Sequence, residues 1–386
     1  MRAAVFLVLL ACVATASALV PLNRGQKVVP SQYVIMIKEG VDFSEHLNSL
    51  RTFMSIDNSA NEILHQYEIG TGFRGYAIRC SEKVLEFIRR AEEVVELVEE
   101  DQYMSAFGVQ NNPPSWGLDR ISQRNLPLDQ AYQYPDQAGA GVNAYTIDTG
   151  IYLSHVDYAG RVRWGYTAPA GATNDDKNGH GTHCSGTIGG TSYGVAKKVN
   201  LIAVKVLGDL GFGTTADVIA GVNWVANQHT AGAKSVGSMS LGGGAAATID
   251  SAVNSAVDKG VYIVVAAGND NANACNYSPA RAEKAICVGS TDSSDRKSSF
   301  SNYGTCVEIH APGTSITSAW IGGTTAQSTI SGTSMACPHV SGVAALYLGS
   351  NKVPSIANLQ LASTKNVITG LPAGTVNYLL YTSTTV

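Results

Sequence analysis

The feature that most constrains the fold is an alternation in the C-terminal two thirds of the chain. Apolar runs at Val142–Ile147, Leu201–Val206, Ser235–Leu241 and Val261–Ala266 read as strands, with a fifth at Ala285–Gly289. Segments with helical patterning lie between them, among them Thr214–Gln228 and Ala246–Lys259. Strands alternating with helices imply a parallel sheet covered on both faces. Ligands of such a sheet sit beyond the carboxyl ends of its strands.

The alternation begins only after residue 108, and composition changes there too. Residues 19–108 carry 9 Lys+Arg and 14 Asp+Glu, a net of −5, whereas residues 109–386 carry 16 of each. Of 40 glycines, 34 follow residue 108. Two differently built units are expected, joined near Tyr103–Pro114, where Asn111-Asn112-Pro113-Pro114 reads as linker. A length of 386 residues accommodates two or three domains.

The acidic unit reads as strand Tyr33–Ile37, helix Phe43–Met54 and strands Ile63–Ile69 and Phe73–Ile78. A helix N-capped by Ser81 then runs to Arg90, and strand Val94–Val98 closes the set. The order βαββαβ fits a ferredoxin-like module of about 70–80 residues. The expected fold class is therefore α/β: a doubly wound, mostly parallel sheet preceded by a small α+β ferredoxin-like domain.

Composition excludes several classes. With 45% apolar and 15% charged residues the chain can build a core and is not disordered. No run reaches 18 apolar residues, so no membrane span is expected. A net charge of −4 argues against nucleic-acid binding. Met1–Ala18 reads as a secretory signal, with Arg2, the apolar run Ala3–Val13 and the small residues Ala16-Ser17-Ala18. The expected divisions are 1–18 signal, 19–108 and 109–386, in a secreted, extracellular protein. Cys12 falls in the signal and Cys80 in the acidic unit. Cys184, Cys275, Cys287, Cys306 and Cys337 remain, an odd number, so at least one is unpaired in a monomer.

Four segments carry residues suited to chemistry. Asp148 ends an apolar run, where α/β sites form, although a turn-capping Asp reads the same way. A pair of Asp-Thr-Gly segments would mark a carboxylate dyad, and only one is present. His180 lies between glycines in Asn178-Gly-His-Gly-Thr-His-Cys-Ser-Gly186, ahead of a helix. His180 and His183 are spaced for zinc on one helical face, but the His-Glu-x-x-His form is absent. Asn269 follows the strand Val261–Ala266 and offers a neutral amide donor for an oxyanion. Ser334, in Ser331-Gly-Thr-Ser-Met-Ala-Cys-Pro-His339, stands near the start of a buried helix, as a nucleophile or an N-cap. No Asp or Glu follows Ser334, which excludes the Ser–Asp–His order of α/β-hydrolases.

The order Asp148, His180, Ser334 on such a sheet resembles that of subtilisin-type serine proteases. Four motifs carry the resemblance: Ile147-Asp-Thr-Gly150, Gly179-His-Gly-Thr-His-Cys184, Ala266-Ala-Gly-Asn269 and Gly332-Thr-Ser-Met-Ala336. They are most similar to the proteinase K and aqualysin branch, from about Trp116 to the C-terminus, and the first unit resembles the inhibitory propeptide of these enzymes. The resemblance implies Ser334 as nucleophile, His180 as base, Asp148 as its partner, and Asn269 with the Ser334 N–H as oxyanion hole. Gly211-Phe212-Gly213 and Ser240-Leu241-Gly242 match the two segments that flank an extended peptide. Small residues at Gly242, Ala266, Ala267 and Gly268 imply a roomy apolar S1 pocket for aromatic or large aliphatic side chains. Maturation would cut near Phe107–Val109.

Cys275 and Cys306 match a disulfide of the branch, and Cys184 matches the thiol behind the catalytic His. Cys337 departs from the usual Thr or Ser, and a thiol there is expected near Cys184. Glu308 stands where proteinase K has an Asp for calcium, so structural calcium is compatible with the resemblance, with no ligands assigned and no cofactor needed for chemistry. The Asn276-Tyr-Ser278 sequon is weakened by Pro279. The expected protein is a monomeric secreted endopeptidase made as a zymogen, whose partners are protein and peptide substrates and its own propeptide. The alternatives are a catalytically silent, protease-like binding protein that retains its propeptide, and an aspartic or metal hydrolase.

Overall fold

The acidic segment folds because its short elements each bury one apolar face. The computed structural model describes residues 19–25, 28–70, 72–102 and 108–384. The expected signal and Phe107 lie outside the described residues. The chain divides into two compact units, Met1–Ser105 and Ala106–Val386. In the first, strand Val28–Ile37 pairs antiparallel with both Phe73–Arg79 and Val95–Gln102, and Glu62–Ile69 adds outside Phe73–Arg79. This is the expected ferredoxin-like order, with a two-residue strand, Leu22–Asn23, added in parallel at the far edge. Ile35, Tyr76, Ile78 and Val98 of the sheet pack on Leu47 and Leu50 of helix Phe43–Ile56 and Val84 and Ile88 of helix Glu82–Arg90. Ser81 caps the second helix by accepting from the Val84 amide at 3.3 Å.

The second unit is built on a nine-stranded sheet. Its order is Thr364–Lys365, Tyr378–Leu379, Ile309–Pro312, Ile286–Thr291, Tyr262–Ala266, Ser235–Met239, Asn143–Asp148, Asn200–Lys205 and Val162–Thr167. Every pair is parallel except the first. The chain leaves Asn143–Asp148 towards one edge, returns beside it as Asn200–Lys205, and then crosses to its other side as Ser235–Met239. That reversal makes the carboxyl end of Asn143–Asp148 a switch point, where a doubly wound sheet opens a crevice.

The strands are apolar on both faces because both are covered. Ala144, Leu201, Val236 and Val264 face helix Thr333–Gly349 through Ala336, Val340 and Val343. Tyr145, Ile202, Val204 and Val265 face helices Thr215–Gln228 and Ala247–Asp258 through Val222, Val225 and Val253. Helix Thr333–Gly349 is buried along nearly its whole length, as expected for a helix apolar all round.

Three readings differ from the structure. Gly108–Asn111 is a strand paired antiparallel with Ala131–Tyr134, so Asn111 belongs to folded structure and not to a linker. The run Ser235–Leu241 leaves the sheet at Met239. The edge strand Val162–Thr167 and strand Ile309–Pro312 escaped notice because a Gly interrupts one and the other holds His and Pro.

Three histidines of this unit are fully buried: His183, His310 and His339. Desolvation pushes their pKa values down to about 4, about 3 and about 4. Unfolding restores a value near ~6.5, so the unfolded chain binds the extra protons. Their contribution to stability is full above about pH 6.5 and is lost as pH falls towards the folded values. Calorimetric unfolding of the Ser334→Ala chain at pH 5, in buffers of different ionisation enthalpy, should show uptake of at least about two protons. Absence of uptake between pH 5 and 6.5 would mean that these rings are already charged in the fold.

Candidate active site

Asp148 is the last residue of strand Asn143–Asp148, at the switch point, and is fully buried. Its Oδ1 accepts from the Thr149 amide at 2.7 Å and from His180 Nδ1 at 2.8 Å. A carboxylate only accepts, so Nδ1 carries the proton and Nε2 of the neutral ring keeps its lone pair. The His180 side chain is 26% exposed, against 0% for Asp148. Burial is the largest single influence on His180 and lowers its pKa. The Asp148 charge and hydrogen bond, with Cys184 beside the ring, outweigh burial and hold the pKa well above histidine's usual value.

His180 opens helix His180–Gly189, whose start is tied down by a buried carboxylate. Asp176 Oδ1 accepts from Thr149 Oγ1 at 3.0 Å, Asn178 N at 3.1 Å and Gly179 N at 2.9 Å. Its Oδ2 accepts from Thr182 N at 3.0 Å and Thr182 Oγ1 at 2.6 Å. Thr149 Oγ1 also accepts from Gly181 N at 2.9 Å. Asp176 thus couples the residue after Asp148 to the turn that carries His180. Sequence reading missed it, since an Asp in a polar loop gives no sign of five donors converging on it.

Ser334 is the second residue of helix Thr333–Gly349. Its Oγ donates to the Ser240 carbonyl at 3.1 Å, and Ser240 Oγ donates to the Ser334 carbonyl at 2.9 Å. Asn269 Oδ1 accepts from Thr333 N at 2.8 Å and Thr333 Oγ1 at 2.9 Å, which turns its Nδ2 the other way. The Ser334 amide belongs to the first turn, where N–H groups have no helical partner. A methyl in place of the Gly332 hydrogen would lie 3.5 Å from Ser334 N and 3.6 Å from Asn269 Nδ2, so the two donors lie close to one common point.

Two cavities flank Ser240–Gly244. One, of about 340 Å³, runs from Ser334 and Asn269 along Ala266, Ala267 and Gly268. Its wall includes Asp270, a carboxylate that the expectation of an uncharged pocket overlooked. The other, of about 390 Å³, reaches from His180 past Gly211, Phe212 and Gly213 to Leu207, Val218 and Ile249. Those last three were not singled out in the sequence, because they read as ordinary core. Leu210 and Phe212 are 84% and 81% exposed beside this cavity's rim segment.

The remaining candidates separate. His183 turns away from His180 and places Nε2 3.0 Å from the Ile316 carbonyl, so the two imidazoles do not form a zinc pair. Among the described residues the only His/Cys/Asp/Glu cluster with ligand spacing is Asp148, His180 and Cys184. Its Nδ1 and Oδ1 are bonded to each other, and burial raises the Cys184 thiol, so the donor set is poor for a metal. Glu308 takes a bond from Gln360 Nε2 at 3.1 Å, and no carboxylate cage forms around it among the described residues. Cys275 and Cys306 are joined by a disulfide. Cys184 and Cys337 are both free: the first donates to the Ser334 carbonyl at 3.4 Å, the second to the Val264 carbonyl at 3.5 Å. Burial pushes the Cys337 thiol up to about 12, which keeps it unreactive.

Comparison with known proteins decides the family. Residues 139–369 match the model of the subtilase family, and residues 32–106 match that of peptidase inhibitor I9. The chain belongs to the subtilase family. It is 45% identical to an extracellular serine proteinase of Thermus sp. (strain Rt41A), over 93% of this chain and 91% of that protein. It is 42% identical to the subtilisin-like serine protease Pen ch 18 of Penicillium rubens, over 93% of this chain and 82% of that one. The crystal structure of a cold-adapted subtilisin-like serine proteinase superposes with a TM-score of 0.65 at 51% identity, covering 69% of this chain and 97% of that one. This subtilase is a secreted serine proteinase that carries an I9 inhibitor segment before its catalytic unit. Among the described residues no helix is long and apolar enough to cross a membrane.

Asp176→Ala would orphan up to five donors, and each buried unpaired group costs about 1–3 kcal/mol. The denaturation midpoint should fall sharply, and the amides of residues 178–182 should exchange faster with solvent. Unchanged protection of those amides would remove Asp176 from the support of the His180 turn.

Proposed function

We propose that this subtilase hydrolyses peptide bonds through Asp148, His180 and Ser334, with Asn269 and the Ser334 amide as oxyanion hole. The supporting observation is the 2.8 Å bond that fixes the His180 tautomer, together with two donors, Ser334 N and Asn269 Nδ2, that lie close to one common point. Ser334 Oγ leaves the Ser240 carbonyl, gives its proton to His180 Nε2 and attacks the scissile carbonyl carbon. The carbonyl oxygen becomes an oxyanion between Asn269 Nδ2 and Ser334 N. His180 returns the proton to the leaving amine as the C–N bond breaks, and a water then repeats the sequence on the acyl-enzyme. Asp148 holds the ring and stabilises the imidazolium.

An extended substrate would run along Gly211–Gly213 and Ser240–Gly242, with alternate side chains entering the two cavities. Ala266, Ala267 and Gly268 favour aromatic or large aliphatic P1 groups, with Asp270 the one carboxylate in the wall. The I9 segment serves as folding aid and inhibitor, and is cut near Phe107–Val109, by the enzyme itself. A Ser334→Ala chain that matures with no other protease present would overturn self-cleavage.

A fluorophosphonate probe should label Ser334 of a secreted species of about 28 kDa (roughly 278 residues at the ordinary residue mass), and Ser334→Ala should abolish labelling. An unlabelled protein still holding its cut propeptide would replace the enzyme by a silent binding protein. For the active enzyme, kcat/KM should rise with pH through an inflection above histidine's usual ~6.5, since only neutral His180 accepts a proton. Asp148→Asn should lower that inflection and reduce kcat by about 10⁴, a magnitude taken from another serine protease. Asn269→Ala should cost about 10²–10³ in kcat, the magnitude that holds for the oxyanion Asn of subtilisin.

A further inference from the structure

We infer that Asn302 is a positioning residue that holds the oxyanion amide Asn269 in place. Strand Tyr262–Ala266 ends before Asn269, so beyond the Ala267 amide the parallel sheet no longer fixes the backbone there. Asn302, fully buried, takes over that task. Its Nδ2 donates to the Ala267 carbonyl at 2.9 Å, and its Oδ1 accepts from Asp270 N at 3.0 Å and Ala272 N at 2.9 Å. Its backbone N–H donates to the Gly268 carbonyl at 2.9 Å. All four bonds fall on Ala267–Ala272, on both sides of Asn269, and none falls on Asn269 itself.

Residue type matters at both ends of this clamp. Only a side-chain amide offers a donor to one carbonyl and an acceptor to two N–H groups at once. A carboxylate would face the Ala267 carbonyl with no proton to give. Gly268 has φ +102, and a Cβ there would come within 2.3 Å of Asn302 Nδ2. The glycine before Asn269 is thus dictated by the clamp as well as by its left-handed backbone. Thr333 orients the Asn269 side chain, while Asn302 fixes the backbone from which that side chain projects.

The inference rests on Asn269 acting as an oxyanion donor, and a double-mutant cycle separates the two claims. Kinetics on a peptide anilide would be measured for Asn302→Asp, Asn269→Ala and the double variant, each normalised to active sites by exhaustive fluorophosphonate labelling. Asn302→Asp should lower kcat by about 10–10²-fold, below the full loss of the donor. KM should stay within about threefold, because an interaction made only in the transition state is lost. In the Asn269→Ala background the same change should cost less than about threefold. Equal losses in both backgrounds would overturn the inference and make Asn302 a residue of the fold alone. An undiminished kcat in Asn269→Ala would instead overturn the oxyanion reading. If Asn302→Asp fails to accumulate, Asn302→Ser carries the same cycle, and failure of both to fold would likewise assign Asn302 to folding and not to positioning.

Discussion

The bond between Asp148 Oδ1 and His180 Nδ1 is the contact on which the rest of the catalytic unit is organised. It joins the end of strand Asn143–Asp148 to the start of a helix that follows more than thirty residues later. Asp148 is buried at the one point where the sheet's winding reverses, so its charge meets little water and its effect on the neighbouring ring is correspondingly strong. Ser334 comes from a third element, helix Thr333–Gly349, which packs on the same face of the sheet as helix His180–Gly189. The paired bonds between Ser334 and Ser240, at 2.9 and 3.1 Å, lock that helix start to the strand beside Asp148. A parallel sheet serves this purpose because all its central strands deliver their carboxyl ends to one edge.

Histidines of the same unit show how local the electrostatics are. His180 and His183 stand three residues apart on one helix and shift in opposite directions. Both lose solvation. His180 faces a carboxylate, whose full charge more than offsets that loss, whereas His183 faces carbonyl dipoles, which accept an N–H but do not neutralise a cation. The helix therefore carries one ring whose charged form is favoured by a carboxylate and one kept neutral as a structural strut between the Ile316 and Ser328 carbonyls. Their spacing alone, which also reads as a metal pair, carries no information about that difference.

Local periodicity made the main elements legible. Helix Phe43–Ile56, the Ser81 cap and the strands ending at Asp148 and Ala266 lie within a few residues of where pattern and capping chemistry put them. Asp148, His180, Asn269 and Ser334 stood out for a different reason: each interrupts an apolar or glycine-rich segment with a polar side chain, and their order along the chain resembles that of subtilisin-type proteases. The misses have equally physical causes. Ser240 and Leu241 continue an apolar run but leave the sheet, because the bonds to Ser334 replace ladder bonds. Leu207, Val218 and Ile249 line a cavity yet carry the same side chains as core residues. Asp270 follows Asn269 and reads as turn, although the chain direction there brings it to the pocket wall.

Asp176, Thr333 and Asn302 show what periodicity cannot convey. Each is buried, and each satisfies its own polar atoms by bonding several groups of a turn beside His180 or Asn269. An apolar residue of similar size would pack, but packing tolerates displacements of some tenths of an ångström and has no direction. A hydrogen bond loses strength steeply as its angle departs from linearity, so several of them on one turn fix orientation as well as position. The same solution recurs away from the site, where the buried Arg120 guanidinium binds Asp295 at 2.7 and 2.9 Å and the Gln123 carbonyl at 2.7 Å. Such groups add little net stability when complete and cost much when one partner is missing. Their concentration around Asp148, His180 and Asn269 therefore reflects a demand for orientation.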